Sequence, residues 1–211
     1  MTNALILGAG GQIAQHVVRA LRSHRAIRPT LFLRDASKLA GIDTTKMRIA
    51  EGDVGNRKQL RAAMKDQDIV YANLSGDVDV LARTIVAAMK EAGVKRLIFI
   101  ASLGIYDEVP GKFGKWNRRE IGDALVPYRK AADLIESSGL DYTIIRPAWL
   151  TDNDEVAYET TKKGEPFKGT EVSRKSVAAY VMKILEDPSF ASRSDVGIDK
   201  PGTDGDKPTF L

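Results

Sequence analysis

The chain has 211 residues, no cysteine and two histidines, and its 32 Lys and Arg against 28 Asp and Glu give a formal charge of +4. That length suits one substantial domain, and the lack of cysteine excludes disulfide scaffolds, thiolate nucleophiles and Cys-ligated metal sites. A 43% hydrophobic fraction excludes a disordered chain, no run approaches the ~20 apolar residues of a membrane span, and the scattering of both charge signs argues against nucleic acid as a partner.

Along the chain, short apolar runs alternate with amphipathic helical stretches, the pattern of a parallel sheet covered on both faces. Strands are expected at 4–7, 30–33, 47–50, 69–73, 97–101 and 142–146. They are rich in Ile, Leu and Val and mostly do not alternate, as befits strands buried on both sides. Ile13, Val17 and Leu21 mark a first helix at i, i+4 and i+8. Leu81, Ile85, Met89 and Ala92 mark a second, stopped by Gly93, and Ala131, Leu134 and Ile135 a third, stopped by Gly139. Ser173 is a candidate N-cap for a last helix carrying Val177, Tyr180, Val181, Ile184 and Leu185. Residues 103–123 and 151–170 show no such period, and the polar tail from Lys200 reads as mobile. With no repeat and no linker, residues 1–211 read as a single doubly wound α/β domain, its sheet mainly parallel, with a small substrate-side or lid region around 151–172. The start has no basic leader, so a cytoplasmic location is expected.

The chemistry gathers at strand ends. Gly8-Ala9-Gly10-Gly11-Gln12-Ile13-Ala14 follows the first strand and opens directly into the first helix. A glycine-rich loop at such a junction is a phosphate-binding signature. Gly8 makes the tight turn, Gly11 admits a pyrophosphate to the backbone, and Ala14 lets the helix pack on the strand. Free N–H groups and the dipole at the helix start favour the anion. The second strand ends in Arg34-Asp35-Ala36-Ser37-Lys38. An acid here accepts from the ribose 2′-OH of NAD, whereas a basic residue receives the 2′-phosphate of NADP. Arg34 can stack on adenine while its fork meets phosphate, and with Ser37 and Lys38 just downstream NADP(H) is favoured; Asp35 leaves NAD(H) open. In Gly52-Asp53-Val54 the carboxylate can accept from the adenine amino group, and Asn73-Leu74-Ser75-Gly76 would pass beside the ribose and nicotinamide. No metal site is expected, because His16 and His24 lack partners at ligand spacing and read as surface residues.

GAGGQIA at 8–14, LRDASKL at 33–39, EGDV at 51–54, IASLGIY at 100–106 and GLDYTIIRPAWL at 139–150 together resemble the atypical short-chain dehydrogenase/reductase superfamily. The resemblance is to its NmrA-like NAD(P)-binding group, which includes biliverdin-IXβ/flavin reductases, and it covers nearly the whole chain. It implies a Rossmann sheet with a dinucleotide across the C-terminal strand edges, and Arg34 with Lys38 at the 2′-phosphate. It also implies Gln12 and Ile13 under the pyrophosphate, and Ser102 where the superfamily keeps an active-site serine. The chain departs from the family at the Tyr-x-x-x-Lys dyad, whose i, i+4 spacing puts both groups on one helix face so that the ammonium lowers the tyrosine pKa. Four residues after Tyr128 stands Ala132, and Lys130 follows after only two. Candidate catalytic residues are therefore Ser102, Tyr106, Tyr128 and Lys130, with the usual dyad absent or rearranged.

A flavin- or quinone-like acceptor relaxes the need for that dyad, since its conjugation spreads the charge left by hydride transfer. The leading expectation is an NADPH-dependent oxidoreductase with a small conjugated substrate, Tyr106, Trp116 and Trp149 being candidates to line a flat slot. Residues 112–119 interleave cations with aromatics and read as a solvated flexible loop, or alternatively as a grip on an anionic planar substrate. One rival is a non-catalytic NAD(P)-binding redox sensor, which the missing dyad favours. A nucleotide-sugar epimerase or dehydratase ranks last, because little chain follows Arg146 to build a substrate domain. A small-molecule partner is expected, with neither nucleic acid nor membrane; the pattern leaves oligomeric state open.

Overall fold

Short apolar segments joined by amphipathic helices can satisfy both their backbone groups and their side chains by pairing in parallel beneath those helices. The computed structural model, which describes residues 1–211, shows this arrangement. In chain order the elements are β1 (Thr2–Leu7), α1 (Gln12–Leu21), β2 (Ile27–Leu33), β3 (Arg48–Glu51), α2 (Arg57–Ala63), β4 (Ile69–Ala72), α3 (Val78–Ala92) and β5 (Arg96–Ile100). There follow α4 (Gly111–Glu136), β6 (Asp141–Pro147), β7 (Trp149–Thr151), β8 (Glu159–Lys162), β9 (Glu171–Ser173), α5 (Arg174–Glu186) and β10 (Ser194–Asp199). Eight strands form one sheet in the order β3-β2-β1-β4-β5-β6-β10-β8, parallel except where β8 runs against β10. This is a Rossmann-type α/β fold. No helix is long and apolar enough to cross a membrane.

Alternate residues of each strand feed opposite sides. Ala4 and Ile6 of β1 join Val17 of α1 and Val181 of α5 in one core cluster. Leu5 and Leu7 join Leu60 of α2, Met89 of α3 and Ile135 of α4 in the other. The sheet grows outward from β1 to β3, then resumes on the other side of β1 at β4. Where the order reverses, the loops leaving the C-terminal ends of β1 and β4 part and open a crevice.

The six expected strands are present, each within a few residues of its expected ends. Strands β7 to β10 lay outside the sequence reading. All four are short or polar, and their partners are remote in sequence. Region 151–172 carries β8, which extends the main sheet, while β7 and β9 pair with each other. Residues 112–119, expected as a flexible loop, are the first part of α4. Its period was hidden because the helix breaks at Ile121 (φ −132°, ψ 15°) and then contains Pro127. Proline has no N–H for the carbonyl four residues back and crowds it, so the apolar stripe cannot run straight through. The tail from Lys200, expected as mobile, is tied down: the Thr203 carbonyl accepts from Thr170 N–H at 3.1 Å, and Glu171 accepts from Thr209 N–H at 2.8 Å. Those partners lie some thirty or more residues away, beyond any local pattern.

Candidate functional site

Helix α1 starts with Gly11 as its N-cap and no side chain closing it, so its first-turn N–H groups and positive dipole end face outward from the loop. Gly8 sits at φ +74°, and a Cβ there would strike the Asn73 carbonyl oxygen. A Cβ on Gly11 would overlap the Asn73 carboxamide nitrogen, and one on Gly10 would come within 2.9 Å of the Lys38 Cβ. The three glycines therefore let the end of β4 and the turn after β2 close on this loop, beyond any role in admitting an anion.

A cleft of about 620 Å³ runs along this seam. Gly8, Gly10, Gly11, Arg34, Lys38, Asp53, Val54, Asn73, Leu74 and Ser75 all border it, together with Asp35. Arg34 and Lys38 are exposed and make no salt bridge. The Asp35 carboxylate instead accepts from Ser37 N–H at 2.9 Å and caps the 3-10 turn Ala36–Leu39; these hydrogen bonds hold its pKa below the ordinary value. Glu51 accepts from the next free amide, Ala36 N–H, at 2.8 Å. Asp53 folds its own loop by accepting from Gly55 N–H at 2.8 Å. Three expected residues, Gln12, Ile13 and Ser37, fall outside the cleft walls. Ser37 lies within the turn with its amide already bonded, and Gln12 is exposed at the first helical position. Ile13 borders a second cavity.

That second cavity is a slot of about 280 Å³, which shares the lining residues Asn73 and Leu74 with the cleft. Its other walls are Ile13, Ile100, Ala101, Ser102, Leu103, Ile121, Tyr128, Pro147, Ala148, Trp149 and Leu150, with no charged side chain among them. The Ser102 hydroxyl donates to its neighbour's carbonyl, Leu103 O, at 3.2 Å. The Tyr128 hydroxyl donates to Leu74 O at 3.3 Å, and burial raises its pKa, so it stays protonated at neutral pH. Trp149 forms a wall, its Nε1 donating to Asn117 Oδ1 at 2.8 Å; Trp116 stands behind it at 4.8 Å between ring centroids. Sequence reasoning passed over Ile121 and Leu150. Ile121 and Tyr128 are seven residues, about two turns, apart, a spacing visible in the sequence once α4 is known to begin at Gly111.

Two candidate catalytic residues lie elsewhere. The Tyr106 hydroxyl is 2.8 Å from Asp195 Oδ2 and 3.2 Å from Glu136 Oε1, with Lys163 Nζ 4.1 Å from its ring centre. Burial and these carboxylates push its pKa far up. It belongs to a cluster around the fully buried Arg146, which pairs with Glu108 Oε1 and Asp195 Oδ1 at 2.5 Å each. Glu108 also accepts from the amides of Gly104 and Tyr106, both at 2.9 Å. The cluster braces the loop after Ser102 against β6 and β10, and turns Tyr106 away from the slot. Lys130 is exposed and lines neither cavity. Two residues along a helix is about 200° of rotation from Tyr128.

A family model described as NAD(P)H-binding matches residues 8–188. The chain belongs to this NAD(P)H-binding family. A Rossmann-fold NAD(P)-binding protein from Shigella flexneri is 51% identical with a TM-score of 0.87, each chain covered in full. A short-chain dehydrogenase/reductase from Veillonella parvula, solved in complex with NADP, is 28% identical with a TM-score of 0.92 over 99% of both chains. Among curated relatives, an uncharacterised sugar epimerase of Bacillus subtilis is 28% identical over 206 residues, 90% of each chain. An NAD(P)H azoreductase of Xenophilus azovorans is 24% identical over 199 residues, 90% of this chain but 65% of that protein. The family assignment and the resemblance to atypical short-chain dehydrogenases/reductases agree. The NAD(P)H-binding domain also agrees with the local chemistry: an uncapped helix start for a pyrophosphate, two exposed cations in no salt bridge, and glycines where a Cβ would block the seam.

Proposed function

We propose that this family member is an NADPH-dependent oxidoreductase passing hydride to a small conjugated acceptor of the flavin or quinone type. The observation that carries the reading is the slot, apolar, free of charged groups and adjoining the cleft at Asn73 and Leu74. Bound NADPH supplies the hydride. The α1 N-terminus holds the pyrophosphate, and Arg34 with Lys38 holds the 2′-phosphate by charge-assisted contacts. Ile13, Ile100 and Trp149 exclude water and offer flat surface to a planar ring. Tyr128 keeps its proton and can donate it at the slot wall. With Lys130 turned outward and Ala132 at i+4, nothing makes Tyr128 a stronger acid, which suits an acceptor whose reduced anion is already delocalised.

NADPH consumption tests this with a naphthoquinone, with flavin mononucleotide and with an unconjugated ketone. Turnover of either conjugated acceptor with no turnover of the ketone is the expected result, and Tyr128→Phe should keep at least a tenth of the rate. Binding of NADPH and NADP⁺ with equal affinity and no turnover would instead identify a redox sensor. Interconversion of sugar epimers, the activity in the name of the Bacillus subtilis relative, would overturn the reading as well; the uncharged slot, with one tyrosine and no general base, argues against it.

A further inference from the structure

We infer that Gln15 is a positioning residue that sets the preference for a 2′-phosphorylated nucleotide, an inference that rests on the NADPH reading above. Gln15 lies half-buried on α1, just past the glycine loop. Its carboxamide nitrogen carries two protons and sits 3.2 Å from Gly10 O and 3.1 Å from Lys38 O, one proton for each. Arg19 Nη2, 3.4 Å from Gln15 Oε1, orients the group so that its nitrogen faces both carbonyls. One side chain thus clasps the pyrophosphate loop to the turn that carries Lys38.

The two segments meet closely at this point, since a Cβ on Gly10 would lie only 2.9 Å from the Lys38 Cβ. The rest of the turn is already committed. Its first amides donate to Glu51 and Asp35, so a 2′-phosphate must be met by the side chains of Arg34 and Lys38. Arg34 is set by the end of β2. Lys38, at the far end of the turn, has Gln15 as its link to the glycine loop. Removing the clasp frees Lys38 to drift, while the α1 N-terminus still meets the pyrophosphate. The loss falls on nucleotides with a 2′-phosphate and spares those without.

Dissociation constants for NADPH, NADH, 2′,5′-ADP and 5′-ADP, measured on wild type, Gln15→Ala and Gln15→Glu alongside thermal melts, test the inference. Loss of two hydrogen bonds at the turn should weaken NADPH and 2′,5′-ADP about tenfold. NADH and 5′-ADP should change less than about twofold. In a Lys38→Ala background, Gln15→Ala should add no further loss of selectivity, because it acts through Lys38. Equal weakening of all four ligands, tracking a lower melting temperature, would mean a scaffold role only and overturn the inference, as would unchanged constants. Failure of the underlying reading shows in wild type alone, as NADPH and NADH bound alike or not at all.

Discussion

Asp199 ends β10 fully buried, with Oδ2 accepting from Gly169 N–H at 3.0 Å and Oδ1 without a partner. Burial raises its pKa to about 6, above the unfolded value of about 4. The fold therefore holds this proton more tightly than the unfolded chain does. Its contribution is most favourable below about pH 4, declines as pH rises to 6, and is level above that, a span of about 3 kcal/mol. Asp199→Asn keeps an acceptor for Gly169 and removes the titration. Urea unfolding should show the variant about 2 kcal/mol more stable than wild type at pH 7, with the gap closing toward pH 4. At the cleft, Arg34→Ala removes a cation with no acidic partner. Titration followed by nicotinamide fluorescence should show NADPH binding weakened at least tenfold and NADH nearly unchanged, since a charged hydrogen bond is worth about 1.5–3 kcal/mol.

Among the elements, α4 departs furthest from its sequence signature. A glycine inside a helix normally costs about 1 kcal/mol relative to alanine. Gly114 should reverse that sign, because a Cβ there would overlap the Val109 carbonyl that the helix start packs against. Gly114→Ala should therefore lower the melting temperature, with a loss of about 2 kcal/mol or more. What the sequence carries differs from segment to segment. The glycine loop and the Arg34–Lys38 turn were legible because their chemistry is contiguous and their strands announce themselves. Tyr106 was not, because what claims it, Glu136 and Asp195, lies 30 and 89 residues downstream. Lys130 could be doubted by counting, but only the course of α4 shows which face it occupies. Gln15 carried no signal, since a glutamine on a helix is ordinary until the carbonyl of Lys38, 23 residues on, comes within reach.

At the scale of the molecule, cleft and slot lie side by side along the C-terminal strand edge, from the turn after β2 past β4 to β5 and β6. A dinucleotide laid along them would touch segments from both halves of the sheet. NADPH at a hundredfold excess over its dissociation constant should stabilise the fold by about 2.7 kcal/mol, read as a concentration-dependent rise in melting temperature. The strand order also has a consequence for synthesis. β1 leaves the ribosome before the other strands of the sheet yet lies between two of them, with Ala4 pairing with Ile69. Until β4 has emerged, a nascent chain can pair β1 on one side only, with β2, to which β3 then adds. The other side of β1 remains an apolar edge open to any extended segment nearby. Co-translational folding of this protein should therefore leave that edge unpaired until residue 72 is free.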